Sequence, residues 1–282
     1  MNKILEKKIL NPTVTLMKVE APLVARKAEP GQFIILRVDE NGERIPLTVA
    51  DYDREQGSVT IIFQVVGAST EKLNHLNEGD FIHDFVGPLG RATHTDGLKK
   101  VAVVGGGVGC AIAFPVAKKL HSLGCEVHAV VGFRNKELVI LEDEFAANST
   151  RLVRMSDDGS WGEKGLVTAA LRQLIESGEK YDEVITIGPL PMMKYVALVT
   201  KEFGIPTIAS MNPVMIDGTG MCGGCRLTVG GEMKFACVDG PEFDAHLIDF
   251  DEAIARSATY RDFERHAYED TCNLFKEAEK HA

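Results

Sequence analysis

The sequence predicts an antiparallel β-barrel, then a doubly wound parallel α/β sheet, then a short loop-rich segment with clustered cysteines. Three observations carry that prediction. Residues 1–97 hold short β-branched runs separated by Gly, Asp, Asn and Pro, the pattern of a barrel or sandwich. Residues 98–212 alternate continuous apolar runs with stretches of helical period, the pattern of a parallel sheet covered by helices. Residues 213–250 carry the spacing D-x4-C-x2-C-x11-C, from Asp217 through Cys222 and Cys225 to Cys237. The remainder, 251–282, is polar and charged and reads as a helix or tail.

In the first region, Thr13–Val19 alternates, Gln32–Val38 is a short apolar run and Ser58–Val66 is strongly β-branched. A single short helix is expected near Ser69–Leu76. In the second, VAVVGGGVG from Val101 is a buried strand entering a glycine loop, and Ala111–Leu123 has helical period. Glu126–Gly132 is a strand, Leu166–Ser177 a helix, Glu183–Ile187 a strand and Met192–Phe203 a helix. Pro206–Ser210 is expected to be the last strand of that sheet. Around Gly230-Gly231, Arg226–Val229 and Met233–Ala236 form a small hairpin.

A chain of 282 residues is long enough for two domains or slightly more. Hydrophobic residues at 45% and charged residues at 26% are ordinary for a globular protein. The net charge of −10 argues against nucleic acid or an anionic membrane as partner. The N-terminal MNKILEKKILNP lacks an apolar signal core, and glycines and Pro115 break the apolar stretch 101–117, so neither a signal peptide nor a membrane helix is expected. Six cysteines without a secretory signal fit a reducing cytoplasm. Cys110, Cys125 and Cys272 stand alone and are expected to be buried thiols.

The cysteine spacing has the form of a plant-type [2Fe–2S] site with Asp217 in place of the first cysteine. The intervening Gly218, Gly220, Gly223 and Gly224 allow positive φ and close approach of backbone amides to sulfur. C-x2-C is also a zinc spacing, and Asp217 followed by glycine also suits a turn. Met211, Met215 and Met221 flank this segment as a potential docking face, although methionines are more often core.

Gly105–Gly109 joins a strand to a helix, where backbone amides and the helix dipole favour a pyrophosphate. The alternative is a tight turn that needs small residues. Asp157 and Asp158 end another strand; they suit ribose hydroxyls and disfavour a 2′-phosphate, or else form a solvated turn. Gly188-Pro189 and Met192-Met193 end a further strand, where ligands of such sheets gather. In the first region, Arg44 precedes a strand, and Gly67, Ser69 and Thr70 open a helix. Together they suit a diphosphate; separately they are a surface arginine and an ordinary N-cap. No Ser-His-Asp or Cys-His catalytic set is evident.

This order of motifs, R-x-P-L-T and G-x-S-T, then GGG-x-G and GP-x-x-MM, then D-x4-C-x2-C-x11-C, resembles the ferredoxin–NADP reductase superfamily. Within it, the chain is similar to the branch containing the dihydroorotate dehydrogenase electron-transfer subunit. It is most similar to that branch's small subunits of NADH-dependent reduced ferredoxin:NADP oxidoreductase (sulfide dehydrogenase), chiefly through SDDGSWGEKG and MIDGTGMCGGC. The resemblance spans nearly the whole chain and implies FAD on the barrel and NAD(H) on the α/β domain. By position, it implies that Arg44 meets the FAD diphosphate, that Pro46, Leu47 and Thr48 line the isoalloxazine, and that Gly67, Ser69 and Thr70 hold the pyrophosphate. Gly106, Gly107 and Gly109 would cradle the nicotinamide nucleotide with Asp157 and Asp158 nearby, while Asp217, Cys222, Cys225 and Cys237 would ligate the cluster. It further implies a heterodimer with a larger flavin and iron–sulfur subunit, through which ferredoxin and NADP(H) couple by electron bifurcation. Pro46 and Leu47 replace the tyrosine of the wider superfamily's R-x-Y-[ST]. Asp217 departs from the dihydroorotate subunits and favours the ferredoxin:NADP type. Competing expectations are electron transfer for dihydroorotate oxidation and a non-catalytic nucleotide-binding regulator with structural zinc.

Overall fold

The computed structural model describes residues 1–281. The first region forms β1 (Asn2–Asn11), β2 (Val14–Glu20), α1 (Pro22–Ala25), β3 (Phe33–Arg37), β4 (Arg44–Asp53), β5 (Ser58–Gln64), α2 (Ala68–His75), β6 (Phe81–Ile82) and β7 (Asp84–Leu89). Then come β8 (Lys100–Gly106), α3 (Gly109–Ser122), β9 (Glu126–Phe133), α4 (Glu142–Ala147), β10 (Arg151–Ser156), β11 (Glu163–Lys164), α5 (Val167–Glu176), β12 (Glu183–Ile187), α6 (Leu190–Glu202) and β13 (Thr207–Ser210). The last part holds β14 (Arg226–Val229), β15 (Glu232–Phe235), α7 (Ala236–Asp239), β16 (Glu242–Asp244), α8 (Phe250–Ser257) and α9 (Arg261–His281).

The seven strands of the first sheet run antiparallel in the order β6-β1-β2-β5-β4-β3-β7 and curl into a nearly closed barrel. Ile34 and Leu36 of β3 point inward with Met17, Val19, Ile61 and Phe63. Phe33 and Ile35, on the alternate face, pack outside the barrel against Met211, Met215, Cys225 and Cys237. That double burial explains why Gln32–Val38 reads as a continuous apolar run instead of alternating. Val14, Ala50 and Ile62 on neighbouring strands join the core around α3. The barrel exterior is thus an interface in its own right.

The second sheet has the order β11-β10-β9-β8-β12-β13-β16. Its members are parallel except β16, which pairs antiparallel with β13 through Ala209↔Phe243. Pro206–Ser210 is therefore not the sheet's last strand; the chain returns after the cysteine segment to add one more. Three residues of β16 are too few to show a periodicity in sequence. The expected hairpin forms as β14 and β15, with Val229↔Glu232 flanking Gly230 and Gly231 at φ +60° and +80°. Positive φ at both turn residues is what a type I′ hairpin demands. Cys110 and Cys125 are buried as expected, but Cys272 is only partly so.

The turn from β8 into α3 is held by a backbone contact. A Cβ on Gly109 would lie 2.6 Å from both Gly188 Cα and Ile187 O at the end of β12. Backbone cannot rotate away as a side chain can. Gly109→Ala is expected to cost about 1–3 kcal/mol through overpacking, seen as a melting temperature lowered by several degrees.

Where β16 meets the linker between the two sheets, Thr93 Oγ1 donates to Glu242 Oε1 at 2.7 Å. Burial, supplemented by nearby Glu183 and only partly opposed by Thr93, pushes the Glu242 carboxyl up to about 7. A raised acid favours folding fully below the unfolded carboxyl value, about 4.3. That contribution is lost as pH rises through about 7. Thermal stability should therefore decline between about pH 5 and 8 in the native chain and decline less in Glu242→Gln, as calorimetry across that range will report.

Candidate functional site

The barrel strands separate at one place. Pairing of β4 with β5 runs only from Val49↔Ile61 to Asp53↔Ser58, so residues 44–48 pair with β3 alone. This leaves a backbone edge at Pro46–Thr48 facing the α/β sheet. Between the two lies a cleft of about 930 Å³. Pro46, Leu47, Thr48 and Thr70 line it from the barrel, and Gly106, Gly107, Gly109 and Asp157 from the carboxyl ends of the parallel strands. The structure thus brings these eight sequence-selected residues to one cavity, together with Gly188, Pro189 and Met192 from the end of β12. Its position beyond the strand ends is where such sheets bind ligands.

Gly107 takes φ +56° and its amide donates to Gly132 O at 2.9 Å, which folds the glycine loop against β9. A Cβ on Gly106 would clash with the Met192 thioether. The loop opens onto the N-terminus of α3, whose first amides lack helical partners.

Four expected residues do not line the cleft. Arg44, the first residue of β4, donates from Nε to Ile216 O at 2.8 Å. It ties the barrel edge to the loop that begins the cysteine segment. Gly67 is the N-cap of α2, and Thr70 Oγ1 accepts from its amide at 3.0 Å while donating to its carbonyl at 2.9 Å. Ser69 Oγ donates to Glu43 Oε2 at 3.3 Å. Asp158 Oδ1 accepts from Ser160 N at 2.9 Å and Ser160 Oγ at 2.7 Å, and these bonds hold its carboxyl below the usual range. Of the two aspartates, Asp157 is the one that faces the cleft. Arg134, Gln64, Tyr195 and Asn212 also line it and were not singled out from sequence. Arg134 follows a strand end directly, and that position was the available signal.

Beside the cleft, the cysteine segment turns through Gly218, Gly220 and Gly223 at φ +74°, +82° and +68°. Gly218 sits on the barrel, where a Cβ would approach Leu89 Cδ1 at 2.7 Å and Ile35 Cγ1 at 3.1 Å. The donors fall into two pairs. Asp217 Oδ1 accepts from Cys222 Sγ at 3.4 Å, while Cys225 Sγ accepts from Cys237 N at 3.5 Å. Gly224 N donates to Cys222 Sγ at 3.4 Å. Desolvation acts upward on Asp217 but is outweighed by bonds from the Thr219 and Cys222 amides, so its carboxyl falls to about 2. Burial, then the adjacent Cys225, pushes the Cys237 thiol up to about 12. Asp217 is therefore anionic before any metal arrives, whereas Cys237 must lose its proton to become a ligand.

Among the described residues, the one trio of potential ligands within 4.8 Å of one another is Glu126, His128 and Glu179, far along the sheet from these cysteines. Lys100 Nζ already occupies it, 2.7 Å from Glu126 and 2.5 Å from Glu179. Zinc bonds of about 2.3 Å would gather four thiolate or carboxylate atoms more tightly than the two separated pairs at Asp217–Cys237. Two linked pairs, approached by amide donors and separated by glycines, fit an iron–sulfur group. Met211 and Met215 are buried at 3% and 4% exposure, so they belong to the core; Met221, at 88%, is the one free for docking.

Comparison with known proteins agrees with this layout. Residues 212–249 match the family model described as the iron–sulfur cluster binding domain of dihydroorotate dehydrogenase B. A protein of Thermotoga maritima, described as a homologue of the dihydroorotate dehydrogenase B (NAD(+)) electron transfer subunit, is 45% identical over 95% of both chains. The electron transfer subunit of dihydroorotate dehydrogenase B from Geobacillus thermodenitrificans is 35% identical over 81% of this chain and 90% of its own. A solved structure of NADH-dependent reduced ferredoxin–NADP oxidoreductase, from work on flavin-based electron bifurcation, superposes with a TM-score of 0.91. It is 45% identical, covering 96% of this chain and 97% of that one. The chain belongs to the family of dihydroorotate dehydrogenase B electron-transfer subunits and their homologues, flavin and iron–sulfur oxidoreductase proteins of ferredoxin-reductase fold.

Proposed function

We propose that this chain exchanges a hydride with NAD(H) in its cleft and passes single electrons through a [2Fe–2S] cluster to a larger flavin- and cluster-bearing subunit. The observation that carries this reading is the seating of the cysteine segment beside the cleft: Cys225 and Cys237 pack with Phe33 and Ile35 of β3, and Gly218, next to Asp217, lies on Ile35 and Leu89. Bound FAD supplies the conversion between two-electron and one-electron chemistry, which a nicotinamide does not readily perform. The cluster supplies one-electron storage, and an oxygen ligand from Asp217 is expected to alter its potential relative to four thiolates.

The chain's own residues bind and orient. The free backbone edge at Pro46–Thr48 would offer hydrogen-bonding groups to the flavin ring, and Pro46 and Leu47 would give it an apolar wall. Gly67 and Ser69, at the start of α2, would hold the FAD diphosphate, with Arg44, bonded to Ile216 O, as the nearby cation. Thr70 shapes that turn with its hydroxyl. Gly106, Gly107 and Gly109 admit the pyridine nucleotide against backbone. Asp157 accepts from a ribose hydroxyl and disfavours NADP(H), while Asp158 fixes the turn that presents it. No side chain serves as a strong acid or base. Ile216 and Met221, 50% and 88% exposed beside exposed Cys222, form the exit towards the partner. In this reading the partner engages ferredoxin and NADP(H), and the pair performs bifurcation.

A second reading, electron transfer for dihydroorotate oxidation, is favoured by the names of the relatives and of the matched family model. Asp217 in place of a cysteine weighs against it. Co-purification from the native source distinguishes the two by the subunit recovered.

Anaerobically purified protein should contain flavin and equal amounts of iron and acid-labile sulfide, with both chromophores bleached by NADH. Zinc, or a colourless protein after anaerobic reconstitution with FAD, iron and sulfide, would contradict the proposal. Cys237→Ser should lose most of its iron and sulfide while keeping FAD and its reduction by NADH, because the cysteine lies outside the cleft. Loss of both cofactors together, in a variant whose circular dichroism is unchanged, would contradict separate sites.

A further inference from the structure

The cleft and the cysteine segment share a wall. Among the described residues, three buried side chains both line the cleft and pack in the core that holds Cys225 and Cys237: Phe33, Met211 and Met215. Met192 also lines the cleft, but its thioether lies over the glycine loop, against Gly106 and Gly188. Met193, buried in the same core as the cysteines, does not reach the cleft.

Each of the three is held from a different side. Phe33 pairs with Thr48, on the stretch of β4 that lacks a β5 partner. Its ring lies against Gly90, where a Cβ would stand 2.8 Å from Phe33 Cε1. Met211 N donates to Pro241 O at 2.9 Å, which ties it to the turn between α7 and β16. Met215 stands two residues before Asp217, and the intervening Ile216 is fixed through its carbonyl to Arg44. A wall of one aromatic ring and two thioethers is polarizable and adapts to irregular space. It offers water few hydrogen-bond partners.

We propose that Phe33, Met211 and Met215 are the partition that electrons cross between flavin and cluster, and that the same three side chains keep solvent of the cleft off the cysteine sulfurs. This rests on the flavin and cluster reading given above. In the crossing, one electron leaves the reduced flavin and the oxidised cluster gains it; the wall itself forms and breaks no bond. A packed wall offers a continuous run of contacting atoms, and a void breaks that run. Its apolar character also bears on the cluster, because the hydrophobic shell and solvent access around such a group set its reduction potential.

The test uses the full-length chain reconstituted with FAD, iron and sulfide, rapid mixing with NADH, and an equilibrium redox titration of the cluster. Met215→Ala and Met211→Ala should each slow cluster reduction severalfold relative to flavin reduction, and Met215→Leu, which refills most of the space, should recover the rate. Met193→Ala opens a void in the same core away from the cleft. It should lower the melting temperature as the wall variants do and leave the rate of cluster reduction native. Met215→Gln keeps the wall filled but makes it polar. It should raise the cluster's midpoint potential, because dipoles and water favour the more negative reduced form. Native rates in both Met215→Ala and Met211→Ala overturn the crossing, as does equal slowing in Met193→Ala. An unchanged potential in Met215→Gln overturns the solvent barrier. If the native chain takes up no FAD or no cluster, the electron-transfer reading itself fails, and this inference with it.

Discussion

The arrangement depends on the outward face of β3. A barrel strand ordinarily buries one side and solvates the other, yet Phe33 and Ile35 are 3% and 1% exposed. Their partners are Met211, Met215, Cys225 and Cys237, the residues that lead into and hold the cysteine loop. Burial of this kind contributes about 1.5–3 kcal/mol for each large apolar side chain. It fixes a loop that contains little regular structure of its own. Arg44 adds a polar tie to Ile216, and Gly218 lets the loop lie flat on Leu89 and Ile35. A flexible cysteine loop is thereby held in place by a rigid strand.

The same barrel exterior carries a second contact. Val14, Ala50 and Ile62 pack into the core around α3, which directs the carboxyl ends of the parallel strands towards the open barrel edge. The cleft follows from two sheets meeting at a place where one of them is unpaired. Its walls are mostly apolar and glycine-lined, which suits planar rings and close backbone approach more than acid–base catalysis. The chemistry that fits is electron and hydride transfer, in which geometry and burial matter more than a titrating side chain. The acidic chain keeps its tuned carboxylates elsewhere: Asp217 is held anionic by amides, and Glu242 is pushed towards neutrality at the sheet–linker junction.

Much of this was legible in the sequence because the signals are local. The cysteine spacing, the glycine loop after an apolar strand and the Gly230-Gly231 hairpin each depend on a few adjacent residues, and the loop and the hairpin form where expected. The long antiparallel β1 was hidden by its charged, alternating surface residues, and β16 by its length of three residues. The division of labour between Asp157 and Asp158 was also hidden, since Ser160 decides it by binding one of them. Arg134 stayed unmarked because a single arginine after a strand has no motif; it becomes visible only when the cleft shows no other lining cation among the described residues. The splayed edge of β4 is a property of register, which depends on β5 and cannot be read from Pro46–Thr48 alone.

The central claim is that cleft and cysteine loop form one electron path held together by β3. The most direct measurement is electron paramagnetic resonance on the chain mixed with NADH and frozen at successive times, alongside flavin absorbance. The account predicts that flavin bleaches first and that the signal of a reduced binuclear iron–sulfur centre then grows in, at up to one centre per chain. A chain that contains both cofactors and reduces its flavin, while the iron centre stays oxidised at all times although dithionite reduces it, would contradict the account.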